Sequence, residues 1–239
     1  MMPSLLSFDL DGTLVDTAGE IAHAANQTLA DAGLPQRSLD DITLRIGGGA
    51  LVLMRSLLSD AVAAPKTTVT LRPGKGATRS DNEWLLQRFE YHYAQVAGTL
   101  ARPYPGCAET LKQLRLAGVR LASVTNKEQV FARQVLRATR LEEFFALLVG
   151  GDTLSHKKPH ASVLAHVQHV FDCPPDRLAH IGDSRVDVQA ARNSGVAAWA
   201  VSYGYNAGEP IAAAAPDKLF DSMPEIAQYV ATLYRPGPC

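Results

Sequence analysis

The chain reads as an α/β protein, a parallel sheet wound with helices on both faces and carrying a helical insertion after its first strand. Three observations predict this. Ser4 to Phe8 is an apolar run long enough for one buried strand and too short for a helix, and it stops at Asp9, Asp11, Gly12 and Thr13. Beyond Arg102-Pro103-Tyr104-Pro105-Gly106, apolar runs of strand length alternate with amphipathic runs of helix length, the pattern of repeated β-α units with right-handed crossovers. Between those two regions the periodicity is helical only.

Taken in order, Asp16 precedes a helix to about Ala32, with Ile21, Ala24, Ala25, Thr28 and Leu29 on one face and Gly33 as its stop. Ser38 with Asp41 makes a capping-box-like start for a second helical segment, and Gly47-Gly48-Gly49 breaks it before a third from Ala50 to Leu58. From Ala61 to Arg79 the pattern fails among Pro65, Pro73, Gly74 and Gly76, so a mobile loop is expected, its Lys66, Arg72, Lys75 and Arg79 solvated. Ser80 and Glu83 open a helix through about Ala97 whose Trp84, Phe89 and Tyr93 read as packing residues. Past the Pro-Gly punctuation the expected order is helix Cys107–Ala117, strand Arg120–Val124, helix Glu128–Ala138, strand Leu147–Val149, helix Ala161–Phe171, strand Leu178–Ile181, helix Arg185–Ser194 and strand Ala197–Val201. The first strand must join this sheet. The division is therefore a core of residues 1–15 and 103–239 with residues 16–102 inserted above its carboxyl edge.

Composition excludes several classes of function. With 23 Lys+Arg against 24 Asp+Glu the net charge is -1, which leaves no global footprint for nucleic acid or an anionic membrane. No apolar stretch approaches the roughly 18 residues that a membrane span needs, and the opening Met1-Met2-Pro3-Ser4 lacks a secretory pattern, so a cytoplasmic protein is expected. Cys107, Cys173 and Cys239 are far apart and read as free thiols, Cys239 in an exposed tail. The seven histidines show no ligand pattern with nearby acids, and His166 and His169 read as one partly exposed helix face.

Polar residues sit where the strands end, the place at which open parallel sheets bind ligands. Strand alternation turns Asp9 and Asp11 the same way, so both could share one cation or one reacting phosphate. Thr125-Asn126-Lys127 brings a hydroxyl, an amide and helix-start N–H groups to one spot, although a plain helix cap would also explain Thr125 or Asn126. Ser155-His156-Lys157-Lys158-Pro159 offers two ammonium groups, and Gly182-Asp183 with Asp187 places two carboxylates four residues apart at a strand-to-helix turn.

Phe8-Asp9-Leu10-Asp11-Gly12-Thr13 resembles the signature of the haloacid dehalogenase (HAD) superfamily of phosphotransferases, and Thr125, Lys158-Pro159 and Gly182-Asp183-x-x-x-Asp187 match its other three motifs in order. One departure is Ala161, which stands where many members carry a second proline. The resemblance implies a HAD-like Rossmannoid core with a C1-type helical cap, and a Mg²⁺-dependent phosphomonoester hydrolase. It makes Asp9 the nucleophile that forms an aspartyl-phosphate and Asp11 the general acid and base. It places Mg²⁺ on Asp9, Asp183 and the main-chain carbonyl of Asp11, with Asp187 supporting from the outer shell. Thr125, Asn126 and Lys158 would hold the phosphoryl oxygens, with Lys157 a solvated neighbour. The acid at Asp11 also argues against halide chemistry.

The partner implied is a small phosphorylated metabolite, with no nucleic acid or membrane and a monomeric or homodimeric chain. Thr125-Asn126-Lys127 and Arg45-Ile46-Gly47-Gly48-Gly49-Ala50-Leu51 resemble the forms found in phosphoglycolate phosphatases, where Gly47 to Gly49 could admit a small anion and Arg45 could meet a carboxylate; a bend between helices is the plain alternative. Other expected substrates are a sugar phosphate such as N-acetylmuramate 6-phosphate, or pyrophosphate. A phosphomutase and a catalytically silent binding protein are the alternatives outside hydrolysis, the latter disfavoured by the crowded charges of Asp9, Asp11, Lys158 and Asp183.

Overall fold

A computed structural model of the chain describes residues 3–63 and 81–233. Strand β1 (Leu5–Phe8) is followed by β2 (Val15–Asp16), then helices α1 (Ala18–Asp31), α2 (Leu39–Thr43), α3 (Ala50–Ala63) and α4 (Asp81–Val96), and β3 (Arg102–Pro103). The alternating part follows: α5 (Cys107–Leu116), β4 (Arg120–Val124), α6 (Gln129–Ala138), β5 (Leu147–Val149), α7 (Ser162–Phe171), β6 (Leu178–Gly182), α8 (Arg185–Asn193), β7 (Ala197–Val201), β8 (Lys218–Phe220) and α9 (Met223–Leu233). The strands of the alternating region fall where the apolar runs place them; β8 and α9 lie beyond the last element expected from the sequence.

Six strands form one sheet in the order β5-β4-β1-β6-β7-β8, every pairing parallel. The first strand takes a central place because the chain crosses from β1 to β4 and β5 on one side and returns to β6 on the other. That reversal opens a crevice at the carboxyl ends of β1, β4 and β6. Alternation along β1 feeds two cores. Leu6 and Phe8 pack with α5, α6 and α9, whereas Leu5 packs on the other face with α7 and α8.

Helices α1 to α4 bury their own apolar cluster, including Ile21, Leu29, Ile42, Leu53, Met54, Phe89 and Tyr93, which α6 joins through Phe131. The chain leaves for this layer through β2 and comes back through β3, and the two pair antiparallel with Val15 against Pro103 and Asp16 against Arg102. Ser38 caps α2 by accepting from the Asp41 amide at 3.1 Å.

Residues 61–63, read as the start of a loop, continue α3 instead. Ala61, Val62 and Ala63 tolerate a helix, and the first breaker is Pro65, whose ring restricts the residue before it. The rest of that expected loop, with Lys66, Arg72, Lys75 and Arg79, lies outside the described residues, as do Ser80 and Cys239. Cys107 and Cys173 are buried free thiols. No helix among the described residues is long and apolar enough to cross a membrane.

Candidate active site

Leu10 is fully buried in the sheet core, so Asp9 and Asp11 on either side of it turn out into the crevice. The turn that follows needs glycine for two reasons. Gly12 has φ +80°, and a Cβ there would lie 2.4 Å from Asp183 Oδ2. Thr13 Oγ1 then donates to Asp183 Oδ1 at 3.0 Å and the Tyr205 amide to Oδ2 at 2.7 Å, so the end of β6 is locked to the end of β1.

Lys158 is buried between two acids. Its Nζ lies 2.8 Å from Asp9 Oδ1 and 2.6 Å from Asp187 Oδ1, and it donates to the Val124 carbonyl at 2.8 Å. Asp187 also receives Ser184 N and Oγ, which makes a capping box at the start of α8, and it faces His180 Nε2 at 3.2 Å. Burial lowers the pKa of His180. The neutral ring is best placed with Nε2–H on Asp187 and Nδ1 accepting from Ser7 Oγ at 2.9 Å. Two histidines thus find acid partners the sequence pattern did not reveal, His180 with Asp187 and His92 with Asp31.

The three carboxylates respond differently to crowding. Burial would raise Asp187, but Lys158 and His180 overcome it and hold the carboxyl far below its usual range. Burial drives Asp9 up to about 7 against the pull of Lys158, with Asp187 and Asp11 adding to the rise. Asp183, which pairs with no cation among the described residues, is pushed to about 8 by burial and by Asp187 and Asp9. Ligand oxygens of Asp9, Asp183 and Asp187 all lie within 4.8 Å of one another. Asp9 Oδ1 is buried with no directed hydrogen bond, since the Lys158 ammonium approaches it off the bonding direction. Two carboxylates that repel each other, Asp9 with an oxygen at which no donor is aimed and Asp183 with neutral donors only, fit a hard divalent cation; Asp187 already has its full complement of donors.

The other expected residues are placed as follows. Thr125 is buried at the end of β4, and its Oγ1 accepts from the Lys127 amide at 3.2 Å, leaving the hydroxyl hydrogen for a ligand. Asn126 departs from its expected phosphate contact. Both of its amide hydrogens are taken, by the carbonyls of Gly47 at 3.1 Å and Lys158 at 3.0 Å, while Oδ1 accepts from the Lys158 amide at 2.9 Å. The side chain stitches three loops together. Lys157 is less free than a solvated neighbour, because Glu128 holds it at 3.2 Å. Arg45 is turned onto Asp41 at 2.8 Å, one helical turn back, where a carboxylate is already within reach. Ile46, Gly47 and Gly49 line the cavity beside Asp9, and Arg45 is not among the residues that do.

Four residues with no catalytic or binding role expected from the sequence enter this site. Thr17 Oγ1 donates to Asp11 Oδ1 at 2.6 Å, and Lys127 Nζ sits 3.1 Å from Asp11 Oδ2. Lys127 also donates to Tyr93 Oη at 2.9 Å, and Tyr93 donates to Glu20 Oε2 at 3.2 Å. Tyr93 packs as expected, yet its hydroxyl carries the helical layer into the site. The available signal was a tyrosine on a buried helix stripe, whose hydroxyl must find a partner.

A carboxylate beside a buried lysine, a second acid two residues on and a crowded acidic pair at a sheet switch point make an arrangement that can support phosphoryl transfer. The family model "Haloacid dehalogenase-like hydrolase" matches residues 6–201, and the chain belongs to that family. It is a phosphatase, a phosphoric monoester hydrolase, similar to curated relatives across almost its whole length. A phosphoglycolate phosphatase of Pseudomonas syringae pv. syringae (strain B728a) is 39% identical over 222 residues, 93% of this chain and 78% of the relative. One of Vibrio parahaemolyticus serotype O3:K6 is 34% identical over 227 residues, 95% of this chain and 96% of the relative. A crystal structure described as a predicted phosphoglycolate phosphatase from Haemophilus somnus 129pt superposes with a TM-score of 0.86 at 32% identity, covering 96% of this chain and 98% of that one.

Proposed function

We propose that this chain is a Mg²⁺-dependent phosphoglycolate phosphatase that converts 2-phosphoglycolate and water to glycolate and phosphate. The observation that carries the substrate is the similarity to phosphoglycolate phosphatases over 93% of the chain, which includes the helical layer walling the cavity as well as the sheet. In this reading residues 16–102 act as a cap over a core of 1–15 and 103–239.

Asp9 attacks phosphorus and the bond to the glycolate oxygen breaks, while Asp11 delivers a proton to that leaving oxygen. Water then attacks the aspartyl-phosphate, Asp11 takes its proton back, and phosphate leaves with Asp9 restored. Lys158 and the Thr125 hydroxyl meet the phosphoryl oxygens, and Asn126 holds the Lys158 loop in register. Asp9, Asp183 and the main-chain carbonyl of Asp11 would hold Mg²⁺, which supplies positive charge against carboxylate–phosphate repulsion. Asp187 fixes Lys158 from behind.

Phosphate release from 2-phosphoglycolate, sugar phosphates, nucleotides and pyrophosphate, each with and without Mg²⁺, tests this reading. The expected result is metal-dependent turnover of 2-phosphoglycolate well above the rest, abolished in Asp9→Asn. Preference for another phosphate ester defeats the substrate and keeps the chemistry; no turnover of any ester defeats both.

A further inference from the structure

We infer that Lys127 is the group that receives the substrate's carboxylate, an assignment that rests on the phosphoglycolate reading. Asp11 must reach the leaving oxygen, and in 2-phosphoglycolate the carboxylate hangs one methylene from that oxygen. A cation 3.1 Å from Asp11 Oδ2 therefore stands where the carboxylate arrives. An ammonium has three donors. Asp11 and Tyr93 take two of them, and the third has no protein partner among the described residues, although Lys127 is only 8% exposed and lines the cavity.

The ammonium is held in place before any ligand comes. Its Nζ lies 4.3 Å from the centre of the Tyr93 ring and bonds the Tyr93 hydroxyl, which donates to Glu20. Glu20 is itself fixed, because its Oε1 accepts from the Leu100 and Ala101 amides at 2.8 Å each. Such pre-organisation reduces the entropy lost on binding. The facing wall shows no cationic side chain among the described residues: Ile21, Ile46, Ala50, Leu53 and Phe89 present hydrocarbon, Gly47 and Gly49 present main chain, and Glu128 at the margin is paired with Lys157. Arg45, the sequence's candidate for this task, lies on Asp41. A wall of this kind suits a short acid and gives the hydroxyls of a sugar few partners.

The test compares 2-phosphoglycolate with its neutral carboxamide, phosphoglycolamide, in the wild type and in Lys127→Met. The wild type is expected to favour the acid in kcat/KM by about 30-fold, the scale of a hydrogen bond between charged groups. Lys127→Met is expected to bring that ratio to within about 3-fold of unity, and Lys127→Arg to retain part of it. In Tyr93→Phe, which keeps the ring and removes the hydroxyl anchor, the ratio should fall by about 3- to 10-fold, an independent readout should Lys127→Met fail to fold. Equal loss on both esters, with the ratio kept, overturns the inference and makes Lys127 a support of Asp11 alone. A wild type indifferent to the carboxylate overturns it too. If the ester panel favours a different acidic ester while Lys127→Met still erases the preference for the acid, the inference stands and the phosphoglycolate reading falls.

Discussion

Two walls face each other across the cavity. On the sheet side Asp9, Asp183, Asp187 and Lys158 crowd together at the strand ends, and on the side of the helical layer Ile21, Ile46, Leu53 and Phe89 present hydrocarbon. The sheet side is over-determined, because Lys158, Asp183 and Asp187 are each fixed by two or more partners. The helical side brings neutral polar atoms to the site, the Tyr93 and Thr17 hydroxyls and the Gly47 carbonyl. The difference teaches a division of labour. Charge stabilisation needs fixed dipoles and ions in a dry place, which a rigid sheet edge supplies, whereas discrimination among small esters needs shape and one well-placed charge.

The comparison can be broken first at the chemistry. Asp11→Asn keeps the shape and removes the proton carrier, so kcat for 2-phosphoglycolate should drop by about 10²- to 10⁴-fold; a smaller loss would remove Asp11 from its role. Next comes the lysine between two buried acids. Lys158→Met should lower the unfolding free energy, measured by urea denaturation, by about 3 to 5 kcal/mol, since it leaves Asp9 and Asp187 facing each other without a cation.

Acid crowding also predicts a pH dependence. Asp9 and Asp183, raised from 3.8 to about 7 and about 8, bind more protons in the folded chain than in the unfolded one. Stability in chelator should therefore fall as the pH rises from about 4 to about 8, and added Mg²⁺ should reverse the fall, with melting temperatures at each pH as the readout. A flat profile in chelator would mean that the acidic pair is not strained.

The hydrocarbon side should answer in binding. Leu53→Ala widens the wall and should raise KM for 2-phosphoglycolate by about 3- to 10-fold with kcat within about 2-fold. The smallest effect belongs to Arg45→Ala. Its guanidinium pairs with Asp41 one helical turn away, so kcat/KM should change by less than about 3-fold; a large loss would return Arg45 to the site and weaken the case for Lys127.

Much of this was legible from residue order. A parallel strand must end somewhere, and the polar residues after Phe8, Val124 and Ile181 mark those ends, so Asp9, Thr125 and Asp183 could be collected at one sheet edge without coordinates. Lys158 was favoured over Lys157 by its place before Pro159; their neighbours in space also differ, Glu128 for Lys157 and the Asp9–Asp187 pair for Lys158. Asn126 was read through its position after Thr125, and the carbonyls that occupy it come from residues 79 and 32 positions away.

Local pattern by itself determined the sheet-and-helix alternation, the helical insertion and the residue types at each strand end, because these depend on periodicity and on chain punctuation over a few residues. Only the tertiary structure decided that β1 lies between β4 and β6, that Asp187 serves Lys158, and that Lys127 is held by Tyr93 and Asp11. The reason is physical: the alternation of a strand or a helix is written in neighbouring residues, whereas the Lys127–Tyr93 and Tyr93–Glu20 contacts span 34 and 73 residues and exist only once separate elements have packed.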